Sequence, residues 1–272
     1  MKTEKTKQIV LFYCIVLIFS YFAWFATVIM GISSKSLPGV VLVALGGIGP
    51  TLGALVMLKF FSQKEEVKRY IGALNPKIIT PKWYAIILLL PLLFVGTSLL
   101  LAIALGEDYS SGMFDPKYIS SPISLIPFAI FTLFFGPLPE ELGWRGYALD
   151  RLVQKIGPIG GGLINGLLWA TWHIPLFFII DYPLKEMNLS GLALGRYFFE
   201  MIPKSILYVW IYYRTGKSTV SAILFHFSSN YFGMIFQAGY IAEYIHTAMI
   251  FLSAISVCAF DRKIFWKWKN EA

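Results

Sequence analysis

Long apolar runs alternate with short polar, mostly basic connectors along the whole chain. A helix needs about 20 predominantly apolar residues to cross a bilayer. Runs approaching that length lie at Ile9–Met30, Pro38–Phe61, Trp83–Leu105 and Pro122–Phe135, the last continuing as helix towards Arg151. Four more follow at Pro158–Ile180, Gly191–Tyr213, Ser218–Phe236 and Tyr240–Phe260. The pattern predicts an all-α, polytopic transmembrane bundle of about eight spans. Transmembrane β-strands would instead show alternating segments of about ten residues. One membrane domain over residues 1–272 is expected, with no internal repeat and no second domain. No secretory signal peptide is expected: the first run exceeds an h-region of roughly 7–15 residues, and no small-residue cleavage site follows it.

Composition supports the membrane reading. Hydrophobic residues make up 57 % and charged residues 14 %, against about 45–50 % and about 25 % in soluble domains. Mean hydropathy is +0.67. Such a chain has too few polar groups to cover a water-facing surface, which excludes a soluble enzyme, a disordered chain and a fibrous one. The net charge of +8 raises the question of nucleic acid, but the basic residues sit in connectors, where they answer to membrane topology and anionic headgroups. Alternate connectors hold very different numbers of them. The termini together with the connectors around Lys68, Arg151 and Arg214 carry 17 Lys and Arg; the opposite set has only Lys35, Lys117 and Lys185. Both termini are therefore expected in the cytoplasm. Lys64–Asn75 joins a charged face to Val67, Tyr70, Ile71 and Leu74 and predicts an interfacial helix. Trp266 and Trp268 look like an interfacial anchor. Cys14 and Cys258 lie in apolar runs without a CxxC pattern, so neither a disulfide framework nor a zinc cluster is indicated.

Ionisable residues inside spans cost at least about 2.5–3.5 kcal/mol on insertion scales and are functional candidates by default. Three groups stand out. In Pro139–Arg145, Glu141 and Arg145 are four apart and face each other as an ion pair, whereas Glu140 points about 100° away. A solvated interfacial turn is the plainer account of that segment. Trp169 and His173 lie one turn apart, with Pro175 just beyond. A lone histidine here is equally a hydrogen bond between helices. His226 and Asn230 share a face, again open to the same plain account. The joint occurrence on three spans, in a chain with three histidines, favours one shared site. Arg196, Glu200 and Lys204 recur at i+4 and can neutralise one another, with Glu200 a secondary cavity candidate. Glu243 and His246 read as interfacial. Glu107, Asp108 and Asp115 form no evident ligand set.

The order Glu140-Glu141-x-x-x-Arg145, Trp169-x-x-x-His173, His226-x-x-x-Asn230 resembles the CAAX prenyl protease 2 family, within the CPBP/Abi group of intramembrane proteases. The likeness covers the core at about residues 122–236 and the eight-span plan; Trp169 stands where Phe is common. The compact chain fits a prokaryotic member. The resemblance implies an intramembrane endopeptidase that cuts near the C-terminus of a prenylated (CAAX-type) or other membrane-held substrate. It implies Glu140 as general base acting with His173 on a water, His226 and Asn230 as oxyanion donors, and Arg145 and Glu141 as support.

No metal is favoured. A zinc-dependent version of the protease would use Glu140, His173 and His226 as ligands, but the His-Glu-x-x-His pattern of many zinc proteases is missing. No serine or cysteine nucleophile is indicated. A proton-coupled transporter is the alternative from another class, and it would call for a repeated topology; a membrane scaffold or immunity protein is a third reading. Partners implied are the lipid bilayer and a prenylated or membrane-anchored substrate, with no nucleic acid. The expected location is the cell membrane, with the active site towards the cytoplasmic side.

Overall fold

The structure, a computed structural model, describes residues 2–110, 112–186 and 191–268; Lys269, counted with the basic C-terminus, lies outside them. Each apolar run becomes helix. The first is α1 (Lys2–Ile29). The second breaks at Ile48 into α2 (Leu37–Gly47) and α3 (Gly49–Phe61), bent by 41°. Pro50, in the first turn of α3, cannot donate the hydrogen bond that would carry one helix into the next. The expected interfacial helix forms as α4 (Lys64–Gly72), whose Gln63 and Glu66 make a reciprocal capping box. Next come α5 (Pro81–Ala104), a short α6 (Pro116–Ser120) and α7 (Leu125–Phe134).

The fourth run does not continue as one helix. Gly136 takes φ −148°, ψ −86°, and a separate short α8 (Pro137–Gly143) follows. The chain then widens into a π-helix over Trp144–Leu149 before α9 (Asp150–Trp172). Inside α9, Gly157 at φ 79° ahead of Pro158 makes a kink. A 3-10 turn at Ile174–Phe178, α10 (Pro183–Glu186), α11 (Gly191–Arg214), α12 (Thr219–Ile235), α13 (Tyr240–Phe260) and α14 (Arg262–Phe265) complete the chain. Among the described residues no strand occurs beyond an isolated bridge between Phe114 and Phe236.

By length and composition, four stretches can cross a membrane: Thr6–Ile29, Pro81–Ala104, Pro122–Phe178 and Tyr240–Phe260. The bent α2–α3 pair makes a fifth. Two of the expected spans fall outside this set for visible reasons. Arg196, Glu200 and Lys204 interrupt α11, and α12 is only 17 residues long. The exterior is strongly apolar: Phe22, Ile29, Leu100 and Phe260 are among the most exposed side chains. An apolar belt on this scale suits acyl chains and not water. Inside, an aromatic core of Phe12, Tyr13, Trp24, Trp144, Tyr147 and Trp172 packs beneath the α8 segment.

Helix contacts depend on small residues at several places, two of them next to the glutamate segment and the α9–α11 seam. A Cβ on Gly166 would come within 3.0 Å of Ile202 Cα and 2.8 Å of Ser205 Cβ, so α9 and α11 touch backbone to backbone there. A Cβ on Gly143 would meet the Pro50 carbonyl at 2.4 Å, and this seats α8 against α3. Gly160 and Gly161 serve no such contact; the nearest atoms belong to their own helix.

The bundle has two distinct ends. At the basic end, Arg151 pairs with Glu66 (3.6 Å), Lys217 with Asp150 (3.2 Å) and Arg214 with Asp261. Gln8 donates to the Phe61 carbonyl at the same end, so the start of α1 and the segment after α13 lie together. At the other end, Ser34 N donates to Ile180 O (2.9 Å), Asp115 N to Ile235 O (3.0 Å) and Gln237 N to Met113 O (2.8 Å). There Glu107 also accepts from the N–H groups of Ile241 and Ala242. Burial pushes the Glu107 carboxyl up, but these two donors and the Tyr109 hydroxyl outweigh it and hold it below the usual range.

Candidate active site

The segment that carries the glutamates is anchored before any chemistry is considered. Thr51 Oγ1 donates to Pro139 O (2.6 Å), and Tyr70 OH to Leu142 O (3.2 Å). Just beyond, the π-helix adds one residue to the turn, a distortion that recurs at functional sites. It places Arg145 in the interior.

Glu141 and Arg145 form the expected ion pair, Nη1 to Oε1 at 2.7 Å, with both side chains 0 % exposed. A buried pair needs further partners to offset its desolvation. The guanidinium is sandwiched between the Tyr208 ring (3.7 Å) and the Trp169 ring (4.3 Å). The same Glu141 oxygen lies 2.9 Å from His226 Nδ1, a link between residues 85 apart that no sequence spacing predicts. Glu141 therefore serves an arginine and a histidine at once.

Glu140 points away from that pair, as expected, and takes a different partner. Trp169 Nε1 donates to its Oε2 at 2.8 Å. Its Oε1 converges with Asn230 Nδ2 on the space beside Gly136, each 3.8 Å from where a Cβ on Gly136 would lie. Gly136 is thus a site residue that sequence reading missed. The signal was a glycine immediately before Pro-Leu-Pro-Glu-Glu, where a side chain would fill the pocket.

His173 caps the end of α9. Its Nδ1 lies 2.8 Å from the Trp169 carbonyl, which can only accept, so Nδ1 carries the proton and Nε2 keeps its lone pair. Trp172 and Tyr197 pack on the ring at 4.7 and 5.8 Å between centroids. His226 is buried on α12 against Trp169 (5.2 Å) and Tyr208 (6.2 Å).

Glu140, His173, His226 and Asn230 all line one cavity of about 1000 Å³. Four expected residues from α8, α9 and α12 are thus brought together, with Glu141 and Arg145 immediately behind them. The cavity extends to Ser34, Lys35, Lys117, Asp181 and Ala238, all from the end opposite the basic one. Glu200, the secondary cavity candidate, also faces it, together with Arg196 and Lys204, read as self-neutralising, and Glu243 and His246, read as interfacial.

Whether a metal fits depends on the donor set. Both imidazoles engage Nδ1 and leave Nε2 free, the arrangement of metal-bound histidines. Yet among the described residues no three His, Cys, Asp or Glu side chains stand close enough to share an ion. Glu140, His173 and His226 do not fit a three-ligand zinc centre in this geometry. Both cysteines are free, Cys14 on the exposed surface and Cys258 half-buried.

Fold and site together define a helical membrane protein with a Glu/His cavity inside the bundle. Residues 122–232 match the family described as Type II CAAX prenyl endopeptidase Rce1-like, a span that includes every site residue named above on α8, α9 and α12. The chain is also 27 % identical over 260 residues to CAAX prenyl protease 2 of Methanococcus maripaludis, covering 94 % of this chain and 95 % of that protein. Over its motif-bearing core the chain is thus similar to Rce1-like Type II CAAX prenyl endopeptidases, and over nearly its whole length to a CAAX prenyl protease.

Proposed function

We propose that the protein hydrolyses a peptide bond near the C-terminus of a membrane-held substrate, prenylated (CAAX-type) or other, with a water activated by Glu140 and His173. Water is a poor nucleophile and needs a base within about 2.6–3.2 Å. Trp169 fixes one oxygen of Glu140 and leaves Oε1 to the cavity. His173, with Nδ1–H committed to a carbonyl, offers Nε2 as a second acceptor for the same water. As the water attacks the scissile carbonyl, its proton passes to this pair and then to the departing amine.

The developing oxyanion would meet Asn230 Nδ2 and His226. Because His226 donates Nδ1–H to Glu141, its Nε2 can donate only when the ring is protonated. Glu141 accepts from that ring and holds its orientation, which gives the buried Glu141–Arg145 pair a chemical purpose. One side-chain donor of this kind is worth about 2.7–4 kcal/mol in the transition state. This reading is carried by Glu140 Oε1 and Asn230 Nδ2 both bordering the space beside Gly136, in the cavity that His173 and His226 also line.

No metal takes part in this scheme. Detergent-solubilised protein incubated with a farnesylated CAAX peptide tests it. Cleavage should occur, should survive prolonged chelation, and should be lost in Glu140→Ala and His173→Ala. Equal turnover in those variants contradicts the roles given; loss on chelation, restored by zinc, favours the metalloprotease.

The topology follows from the same reading. Eight crossings, made by α1, α2–α3, α5, α7–α8, α9, α11, α12 and α13, return both termini to the basic end, which the positive-inside rule puts in the cytoplasm. An active site opening to the cytoplasm is incompatible with that arrangement, since the cavity's connectors belong to the other end. The charge count is the stronger argument, and we take the mouth to open on the extracytoplasmic side.

A further inference from the structure

Arg196, Glu200 and Lys204 occupy every fourth position of α11, and Glu243, His246 and Thr247 face them from α13. Their bonds form one network. Lys204 Nζ donates to Glu200 Oε1 (2.8 Å), and Thr247 Oγ1 to Glu200 Oε2 (3.0 Å). Arg196 divides its guanidinium between Glu200 (3.6 Å) and Glu243 (2.9 Å). His246 Nδ1 stands 3.8 Å from Glu200. The side chains of Arg196, Glu200 and Lys204 are no more than 16 % exposed, so they turn towards the cavity and not towards lipid. Apolar residues of similar volume would pack α11 against α13 equally well, and charges at this depth call for another reason.

Neighbours on α11 tie this wall to the catalytic groups. Tyr197, beside Arg196, packs on His173, and Tyr208, one turn beyond Lys204, stacks on Arg145. Lys204 therefore stands between two residues in contact with the site. Its ammonium has three N–H donors, and among the described residues a single carboxylate, Glu200, accepts from it. Arg196, by contrast, is shared between two carboxylates. From Arg196 to Lys204 the helix rises about 12 Å, the length of three to four extended residues.

We propose that Lys204 binds the free C-terminal carboxylate of the substrate, and so sets how far from the chain end the cut is made. This rests on the protease reading above and adds the group that recognises the leaving peptide. A terminal carboxylate is the one charge that every such peptide brings. An ammonium suits it as a compact point charge with rotatable donors, and the pairing is strong in a cavity of low dielectric. Glu200 holds the ammonium against the wall and neutralises it before substrate arrives.

The test compares a farnesylated CAAX peptide as free acid and as C-terminal amide. For the unaltered protein, kcat/KM for the acid should exceed that for the amide by roughly tenfold to a hundredfold, expressed mainly in KM. Lys204→Met leaves Glu200 with Arg196 and Thr247 as partners, and should bring the acid-to-amide ratio close to one. Glu200→Gln can still accept from Lys204 through its one amide oxygen but removes a negative charge, and should widen the ratio; it supplies the answer if Lys204→Met does not fold. Equal rates on acid and amide in the unaltered protein, an undiminished ratio in Lys204→Met, or a narrowed ratio in Glu200→Gln would overturn the proposal. Cleavage of neither peptide by the unaltered protein would instead remove the protease reading and this proposal with it.

Discussion

Glu140 and Glu141 are adjacent and chemically identical, and their surroundings divide the work between them. Glu141 is spent on Arg145 and His226; Glu140 keeps one oxygen for the cavity. Replacing Glu141 by Gln preserves shape while withdrawing the carboxylate that accepts from His226 and Arg145. We expect kcat/KM on the farnesylated peptide to fall about 10–100-fold, the usual cost of losing a supporting partner of a catalytic group, with the fall in kcat. Wild-type kcat in Glu141→Gln would contradict the role. The i,i+4 pairing of Glu141 with Arg145 was legible in the sequence because helix geometry fixes it. The bonds from Glu141 to His226 and from Trp169 to Glu140 join residues 85 and 29 apart. They depend on how helices pack, and local spacing carries no record of that.

Among the elements, every long apolar run became helix, because burial in lipid requires backbone groups to be satisfied within the segment. The breaks inside the runs were less legible. Hydropathy is blind to the bend at Ile48 and the break at Gly136, which fall within apolar stretches, and to the π-helix that follows the two glutamates. Glycine and proline mark each neighbourhood, yet they do not say which position yields. Those irregularities are what serve the site: Gly136 clears the pocket, and the π-helix brings Arg145 under the rings of Trp169 and Tyr208. The charged stripe of α11 was seen in the sequence and read as self-neutralising. Its pairs do form, and Glu200 lines the cavity as the secondary candidate; that Arg196 and Lys204 line it too is not written in helix periodicity.

At the level of the whole molecule, the two ends of the bundle carry opposite messages. Basic residues collect where the chain termini lie, and the cavity is lined from the far end. In a background with Cys14 and Cys258 replaced by serine, Ser110→Cys should react with a membrane-impermeant maleimide on intact cells. Lys68→Cys, at the basic end, should react only after permeabilisation; the reverse pattern would contradict the orientation. In the proposed mechanism Glu140 and His173, from different elements, act on one water. Rates for Glu140→Gln, His173→Ala and the double variant on the farnesylated peptide test it most directly, because groups that work as a unit are strongly non-additive. The double variant should be no slower than the slower single one. Losses that multiply would mean that the two side chains act separately, and the shared-water mechanism would be wrong.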